Sequence, residues 1–451
     1  MVIIYCVLSS IVWIAVVLLL MRRYRDNLNI VSVLLMFYIL NYPIKLIATK
    51  FGIHLIDSNQ FGEGYQLTAI ILSDVTTLFI LLGFRLGSRV RPFKIVRESE
   101  DIQAVYGLWF WGLLFVLCGF MTYGATSVTR MFSYTEMLEF RTYRAEHRLG
   151  NGILGLLMVV MDLCFFAIIY AWVHIRKRTI RSKVLALLIL CFMWYTFANT
   201  LSKTSALSPV VVAVLMWNIK EVKAGRKGIK VRNIILLGIA GVALISMIEL
   251  MDVKTIENIS VGERVYLAIK SFFNPSYDVI DNLTAILYRV KDPVLGDLRW
   301  MPFLYNLILS KIPRSIWRTK YPGDGKLMII EHILPEFYDG LQSSAASPSI
   351  LGDALVSGGI LLVLLAVLIY GFLFYWIYRK AMSSEKWVWV VLYCYSFIGL
   401  NSFCRDGSGI LGNTILAGIL LIILDTCYSK IVLRIRLTRK TIGSYRNRVE
   451  S

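Results

Sequence analysis

Long apolar runs recur along the whole chain, separated by short polar stretches. A run of about 18 or more apolar residues is long enough to cross the hydrocarbon core of a bilayer as a helix. The pattern therefore predicts an all-α, polytopic transmembrane helical bundle of about eleven spans. They fall roughly at residues 2–21, 30–49, 65–86, 104–124, 153–174, 184–200, 205–219, 232–251, 350–378, 387–403 and 408–428. Only residues 201–204 separate the sixth and seventh, which read equally well as one broken segment. The first run has neither a preceding basic residue nor a small-residue cleavage pattern, so it reads as a retained span.

One interruption stands apart. Residues 252–349 form the longest connection and carry aromatic residues throughout, among them Tyr266, Phe272, Trp300, Tyr305 and Trp317. A connection of this length is usually functional or disordered. Its apolar content favours folding, as short helices lying against the membrane surface. The chain thus divides into an N-terminal transmembrane bundle, 1–251, with an outside loop at 125–152. After it come the large loop 252–349, C-terminal spans at 350–428 and a basic tail at 429–451.

Composition agrees: 57% of residues are hydrophobic, 17% are charged and the mean hydropathy is +0.66. Average soluble domains carry about 25% charged residues. The net charge of +19 alone would suggest a nucleic-acid partner. Its placement in short loops beside spans excludes that reading and sets the topology instead. Basic residues crowd alternate connections: 22–25, 85–97, 176–183, 220–232, 379–386 and the tail from Lys430. Those stretches hold more than half of the 48 Lys and Arg. By the positive-inside bias they are cytoplasmic, which puts the N-terminus outside and the C-terminus inside. The seven cysteines form no CxxC pair and no cluster with histidine, so neither a disulfide framework nor a zinc site is indicated.

The candidate chemistry lies outside. The large loop is neutral but sorted. Arg299, Lys311, Arg314, Arg318, Lys320 and Lys326 come first, and Glu331, Glu336, Asp339 and Asp353 come next without an intervening cation. Arginine grips phosphate bidentately and lysine adds a point charge, so the order suits a site that holds a phosphorylated ligand beside a base. A solvated loop near lipid headgroups fits the charges equally well. Trp317 reads as an interfacial anchor or a sugar-stacking face. In the earlier loop, helical spacing stacks Arg141, Arg144 and Arg148, near Arg130 and His147. Lys203 and Arg405 sit in short outside turns, close to where a lipid phosphate lies. His332 and Glu331 are further acid–base candidates. Lys45, Asp74 and Asp162 are ionisable residues within spans and so candidates by default, with Lys45 expected to snorkel outward. Asp278 and Asp281 lack a third ligand, so no metal site is drawn from them.

Three segments carry a family resemblance. They are Asn199-Thr-Leu-Ser-Lys-Thr-Ser205, Lys311-Ile-Pro-Arg-Ser-Ile-Trp-Arg-Thr-Lys320, and Ser347-Pro-Ser-Ile-Leu-Gly-Asp353 with Gly358-Gly359. Together they resemble the bacterial oligosaccharide repeat-unit polymerases, the O-antigen or Wzy-type family, over about residues 199–378. Lys203 stands where that family more usually has Arg. An Arg-x10-Gly pattern of some members is matched by Arg141 with Gly152, or Arg144 with Gly155, and by Arg314 with Gly325.

The resemblance implies a GT-C-like fold in the bacterial inner membrane. It implies a glycosyltransferase that moves a growing glycan from polyprenyl pyrophosphate onto a new lipid-linked repeat unit. Partners would be that lipid-linked oligosaccharide, membrane lipids, and a flippase and chain-length regulator of the same pathway, with no cofactor and no metal. Arg141, Arg144, Lys203, Arg318, Lys320 and Arg405 would hold the pyrophosphate, with Arg314 central. Asp353 would be the first choice of base, with His332 and Glu331 behind it. The alternatives are an O-antigen ligase acting on lipid A core, and a polysaccharide transporter or flippase.

Overall fold

The computed structural model describes residues 1–24, 26, 28–52, 58–89, 107–146, 152–175, 180–200, 203–226, 228–230, 232–233, 236, 279–290, 301–312, 316–317, 325–333, 335, 349–405 and 407–449. Within these, the side chains of 23–24, 141–146, 152, 181, 203–206, 301, 325–327, 401–405 and 431–449 are not described. The described chain is all-helical. Its elements are α1 (Val2–Tyr24), α2 (Ile30–Ile39), a π-helical turn (Leu40–Ile44), α3 (Lys45–Lys50), α4 (Glu63–Arg89), α5 (Leu108–Tyr123), α6 (Tyr134–Glu146) and α7 (Gly152–His174). They continue with α8 (Ile180–Thr200), α9 (Lys203–Lys223), α10 (Val279–Arg289), α11 (Met301–Leu307), α12 (Gly325–Ile333), α13 (Ser349–Ser383), α14 (Trp387–Arg405) and α15 (Gly409–Val449).

Seven helical segments are long and apolar enough to cross a membrane, and α5 joins them if it counts with the bent 3-10 segment after it. Of the spans expected from sequence, 205–219 lies in α9 and 387–403 in α14. Both are helical, and neither is among the seven. The span expected at 232–251 lies mostly outside the described residues.

α1 shows why this is a membrane bundle. Ile4, Val7, Leu8, Ile11, Val12, Leu18 and Leu19 are exposed, whereas Cys6, Ser9, Ser10, Trp13 and Val17 are buried. The helix turns apolar side chains outward and keeps polar groups for its neighbours. Tyr5, Ser9 and Trp13 fall four apart on one face. The Tyr5 hydroxyl (3.0 Å), the Ser9 hydroxyl (2.7 Å) and the Trp13 indole N–H (2.6 Å) all donate to Asp74 of α4. A carboxylate inside a span is costly unless donors surround it, and here one helix supplies three.

The core is the crossing of α4 and α13. A Cβ on Gly83 would stand 2.3 Å from the Leu368 carbonyl oxygen, and one on Gly371 2.3 Å from that of Ile80. Reciprocal glycines let two backbones touch, the usual basis of helix association in lipid. α13 bends at Gly358–Gly359, where Gly359 takes φ +68. An L side chain is strained there. The bend separates a buried first section, Ser349 to Ser357, from the long span beyond it.

Two expectations are corrected. Lys45 does not snorkel: it is 1% exposed. The π-helical turn Leu40–Ile44, which contains Pro43, precedes it directly. The wider turn shifts the helical register of α3, and Lys45 enters the packed interior. α10, from the large loop, does not lie on a surface. Every residue from Val279 to Ile286 is buried, and the helix packs on α4 and α13. It is tied there through Asp281, which accepts from the hydroxyls of Thr49 (2.8 Å) and Ser58.

Hydrogen bonds sort the connections into two ends. At one end Asp26 accepts from Asn218 Nδ2 (2.7 Å), Tyr378 Oη (3.0 Å) and the Leu28 N–H (3.0 Å). Lys223 donates to the Ser384 carbonyl and Arg379 to that of Gly87. The described residues of the basic stretches 22–25, 85–89, 220–230 and 379–386 therefore gather at this end. At the other end Asn199 donates to Ser127, Arg289 to Ile333, and Ser408 lies against Phe303 and Asp353.

Candidate functional site

The second end holds the candidate chemistry. It is organised around the start of α15. Asp353, fully buried on the first section of α13, presents Oδ2 to Asn306 Nδ2 of α11 (2.8 Å), the Ser408 N–H (2.8 Å) and the Ser408 hydroxyl (2.7 Å). That hydroxyl also lies 3.0 Å from the Phe303 carbonyl, and its single proton serves one acceptor at a time. Ser357 receives the Phe303 N–H (3.0 Å), and the Tyr370 hydroxyl reaches the Ser408 carbonyl (3.0 Å). Asp353 thus joins the large loop to the C-terminal helices. Sequence reasoning gave it as the first choice of base. Its enclosure and its donors suit a positioning role.

α11 and the 3-10 turn after it pack on α15 at close range. A Cβ on Gly412 would stand 2.1 Å from the Leu307 carbonyl oxygen and 3.1 Å from Lys311 Cε. The first residue of the basic segment 311–320 therefore lies against the beginning of α15. Arg405 closes α14 four residues before α15 opens, and Lys203 opens α9.

Of the other sequence-predicted residues, some lie outside the described residues and others are placed by their backbone alone. Arg314, Arg318 and Lys320 lie outside the described residues. Arg141 and Arg144 are on α6, Lys203 on α9 and Arg405 on α14, with side chains not described. Glu331 is half-buried and His332 exposed on α12, where His332 Nδ1 lies 2.9 Å from the Met328 carbonyl oxygen, one turn back. That contact is internal to the helix and directs nothing toward Asp353. Arg130, grouped by sequence with the basic loop cluster, is 2% exposed. It donates to the Tyr123 and Thr126 carbonyls and stacks on Phe140 at 3.5 Å, so it closes the α5–α6 connection.

What sequence reasoning missed is a cavity of about 220 Å³ between α7, α8, α9, α14 and α15. Asp162, Thr196, Ser208, Tyr395 and Asn413 supply its polar lining, and Phe165 and Phe166 are among the apolar residues that complete it. Thr196 spends its proton on Phe192 one turn back (2.8 Å). Among the described residues no hydrogen bond or ion pair reaches Asp162, Ser208, the Tyr395 hydroxyl or Asn413. Elsewhere in the bundle Asp26, Asp74, Asp281, Asp353 and Asp425 each accept at least one bond. Asp162 was visible in the sequence as an ionisable residue in a span. Its companions come from four other helices, and no local spacing links them.

The cavity sits at the same end as the cationic turns. Ser208 follows Lys203 by five residues on α9, Gly399 precedes Arg405 by six on α14, and Asn413 adjoins Gly412. Each separation is within about two helical turns. No protein-family model, curated protein or solved structure matches the chain.

Proposed function

We propose that the chain is a glycosyltransferase of the bacterial inner membrane. It polymerises polyprenyl-pyrophosphate-linked oligosaccharide repeat units on the outer face, in a GT-C-like fold of eleven spans. One observation carries the reading. The described parts of the three segments that resemble the polymerase family lie at one end of the bundle, around the start of α15. Lys311 packs at Gly412, Asp353 binds Ser408, and a polar cavity is lined by Ser208, five residues after Lys203, and by Gly399, six before Arg405. The opposite end gathers the basic connections that the positive-inside bias assigns to the cytoplasm.

The chemistry asks for this division. A pyrophosphate leaving group develops charge as its bond to the sugar breaks, and fixed cations at the membrane face stabilise that charge. Arg141, Arg144, Lys203, Arg314, Arg318, Lys320 and Arg405 are the cations assigned here, with Arg314 the central grip. Asp353 holds the α11 and α13 segments on α15, and so fixes where the basic segment begins. A transporter calls for paired charges deep in several spans. Asp74 is instead tied into the packing by hydroxyl and indole donors, and Asp162 faces its cavity without an ion-pair partner among the described residues.

A strain lacking the gene tests the reading. Loss of long glycan, with single repeat units still reaching the final acceptor, is the expected phenotype. Complete loss of attachment would point to a ligase or flippase. Arg314→Ala should abolish chain growth with the protein still in the membrane, and Arg314→Lys should restore part of it, because only arginine makes the bidentate contact.

A further inference from the structure

The glycosyltransferase reading leaves one reactant without a site, the acceptor sugar whose hydroxyl must attack. The Asp162 cavity has the chemistry for it. A saccharide end offers hydroxyls that donate and accept, together with apolar C–H faces. The cavity offers a carboxylate, hydroxyls, a carboxamide and aromatic rings, with Phe166 and Tyr395 6.4 Å apart. Most pockets are apolar with a few convergent polar groups that fix orientation, and this one has that composition.

The polar groups are also uncommitted. Four polar side chains, from α7, α9, α14 and α15, are partly exposed to this cavity and take no hydrogen bond from any described residue. An intramembrane carboxylate that faces a cavity and does not tie helices together is a functional site by its cost alone. The cavity lies within about two helical turns of Lys203 and Arg405. The cavity therefore lies toward the end to which the polymerase reading assigns the leaving group.

Resting on the polymerase reading, we infer that this cavity is the acceptor subsite and that Asp162 accepts the proton of the attacking hydroxyl. The hydroxyl oxygen forms the new bond to the anomeric carbon of the donor sugar. The bond from that carbon to the pyrophosphate oxygen breaks, and its electron pair leaves on the polyprenyl pyrophosphate, beside the cations. The hydroxyl proton passes to the Asp162 carboxylate.

The test uses full-length protein in a strain lacking the gene, and the same variants purified in lipid nanodiscs. If the wild-type chain does not restore long glycan, the polymerase reading fails and this inference falls with it. If wild type restores it, Asp162→Asn should reduce chain growth by about a hundredfold or more, the usual loss on removing a general base. The purified variant should still carry as much polyprenyl-pyrophosphate lipid, measured by mass spectrometry, as wild type. Asp162→Glu should recover part of the rate with a displaced pH profile. Full-length glycan from well-expressed Asp162→Asn would overturn the inference and leave the polymerase reading standing. So would an Asp162→Glu rate whose pH profile matches wild type. Should Asp162→Asn not accumulate, Ser208→Ala and Asn413→Leu replace it. Wild-type chain growth from both would equally overturn the acceptor subsite.

Discussion

Asp353 and Asp162 are the same chemical group in opposite circumstances. Asp353 is fully buried, its Oδ2 lies within 2.8 Å of three donor groups, and it joins α11, α13 and the start of α15. Asp162 has no bond from any described residue and faces a cavity lined by five helices. Residue type does not separate them, and neither does position in an apolar run. Donors do. A carboxylate with its donors built in is part of the fold, and one without them is available to a ligand. Asp74 and Asp26 belong with Asp353 on this measure.

Removing Asp353 should break the comparison most severely. Asp353→Ala takes the buried acceptor away from Asn306 Nδ2 and the Ser408 N–H. At about 1–3 kcal/mol for each group that loses it, the cost is on the order of 4 kcal/mol. The thermal midpoint in detergent should drop sharply, with Asp353→Asn intermediate because its amide oxygen still accepts. An unchanged midpoint for the alanine variant would remove Asp353 from the structural class.

Asp74→Ala should cost less, about 1–2 kcal/mol. Its three donors all come from α1, and interhelical hydrogen bonds in membranes average about 0.6 kcal/mol each. The effect is local, so limited proteolysis near the N-terminus should rise before the global midpoint moves. A global collapse would show that α1 is part of the core crossing.

The sequence was legible along the same line. Hydropathy located most spans, and the clustering of Lys and Arg separated the two ends, because both depend on a residue's own transfer free energy. The Gly358-Gly359 pair was noted in sequence as part of a motif, and it forms the bend in α13. The burial of α10 and of Lys45 was not legible. One depends on distant partners, Thr49 and Ser58, and the other on a π-helical turn. The cavity was least legible of all. Asp162, Thr196, Ser208, Tyr395 and Asn413 are spread over more than half the chain, and only helix packing brings them together.

Asp26 adds a pH dependence at the opposite end. Burial pushes its carboxyl above the ordinary carboxylate range, although Asn218, Tyr378 and the Leu28 N–H pull the other way. The folded chain therefore keeps a proton that the unfolded chain releases. Stability from this group is fully present below the ordinary carboxylate pKa and is lost as pH rises through the raised value. The wild-type midpoint should fall over that rise, and Asp26→Asn should flatten the slope. A slope that survives the substitution would assign the dependence to another group.

The smallest stability effect should come from Asp162, and it is the sharpest discriminator. Asp162→Asn replaces a carboxyl group that takes no hydrogen bond or ion pair from any described residue. It breaks no hydrogen bond and leaves no donor stranded, so its midpoint should stay within about 0.5 kcal/mol of wild type or rise. An apolar carbodiimide, which modifies accessible carboxyl groups in membranes, should label the Asp162 peptide and spare those of Asp74 and Asp353. The two measurements are independent of any substrate. If Asp162→Asn lowers the midpoint as far as Asp353→Ala does, Asp162 is holding helices together. If Asp353 is labelled as fast as Asp162, its donors do not enclose it. Either result would dissolve the distinction between a carboxylate that builds the bundle and one held open within it.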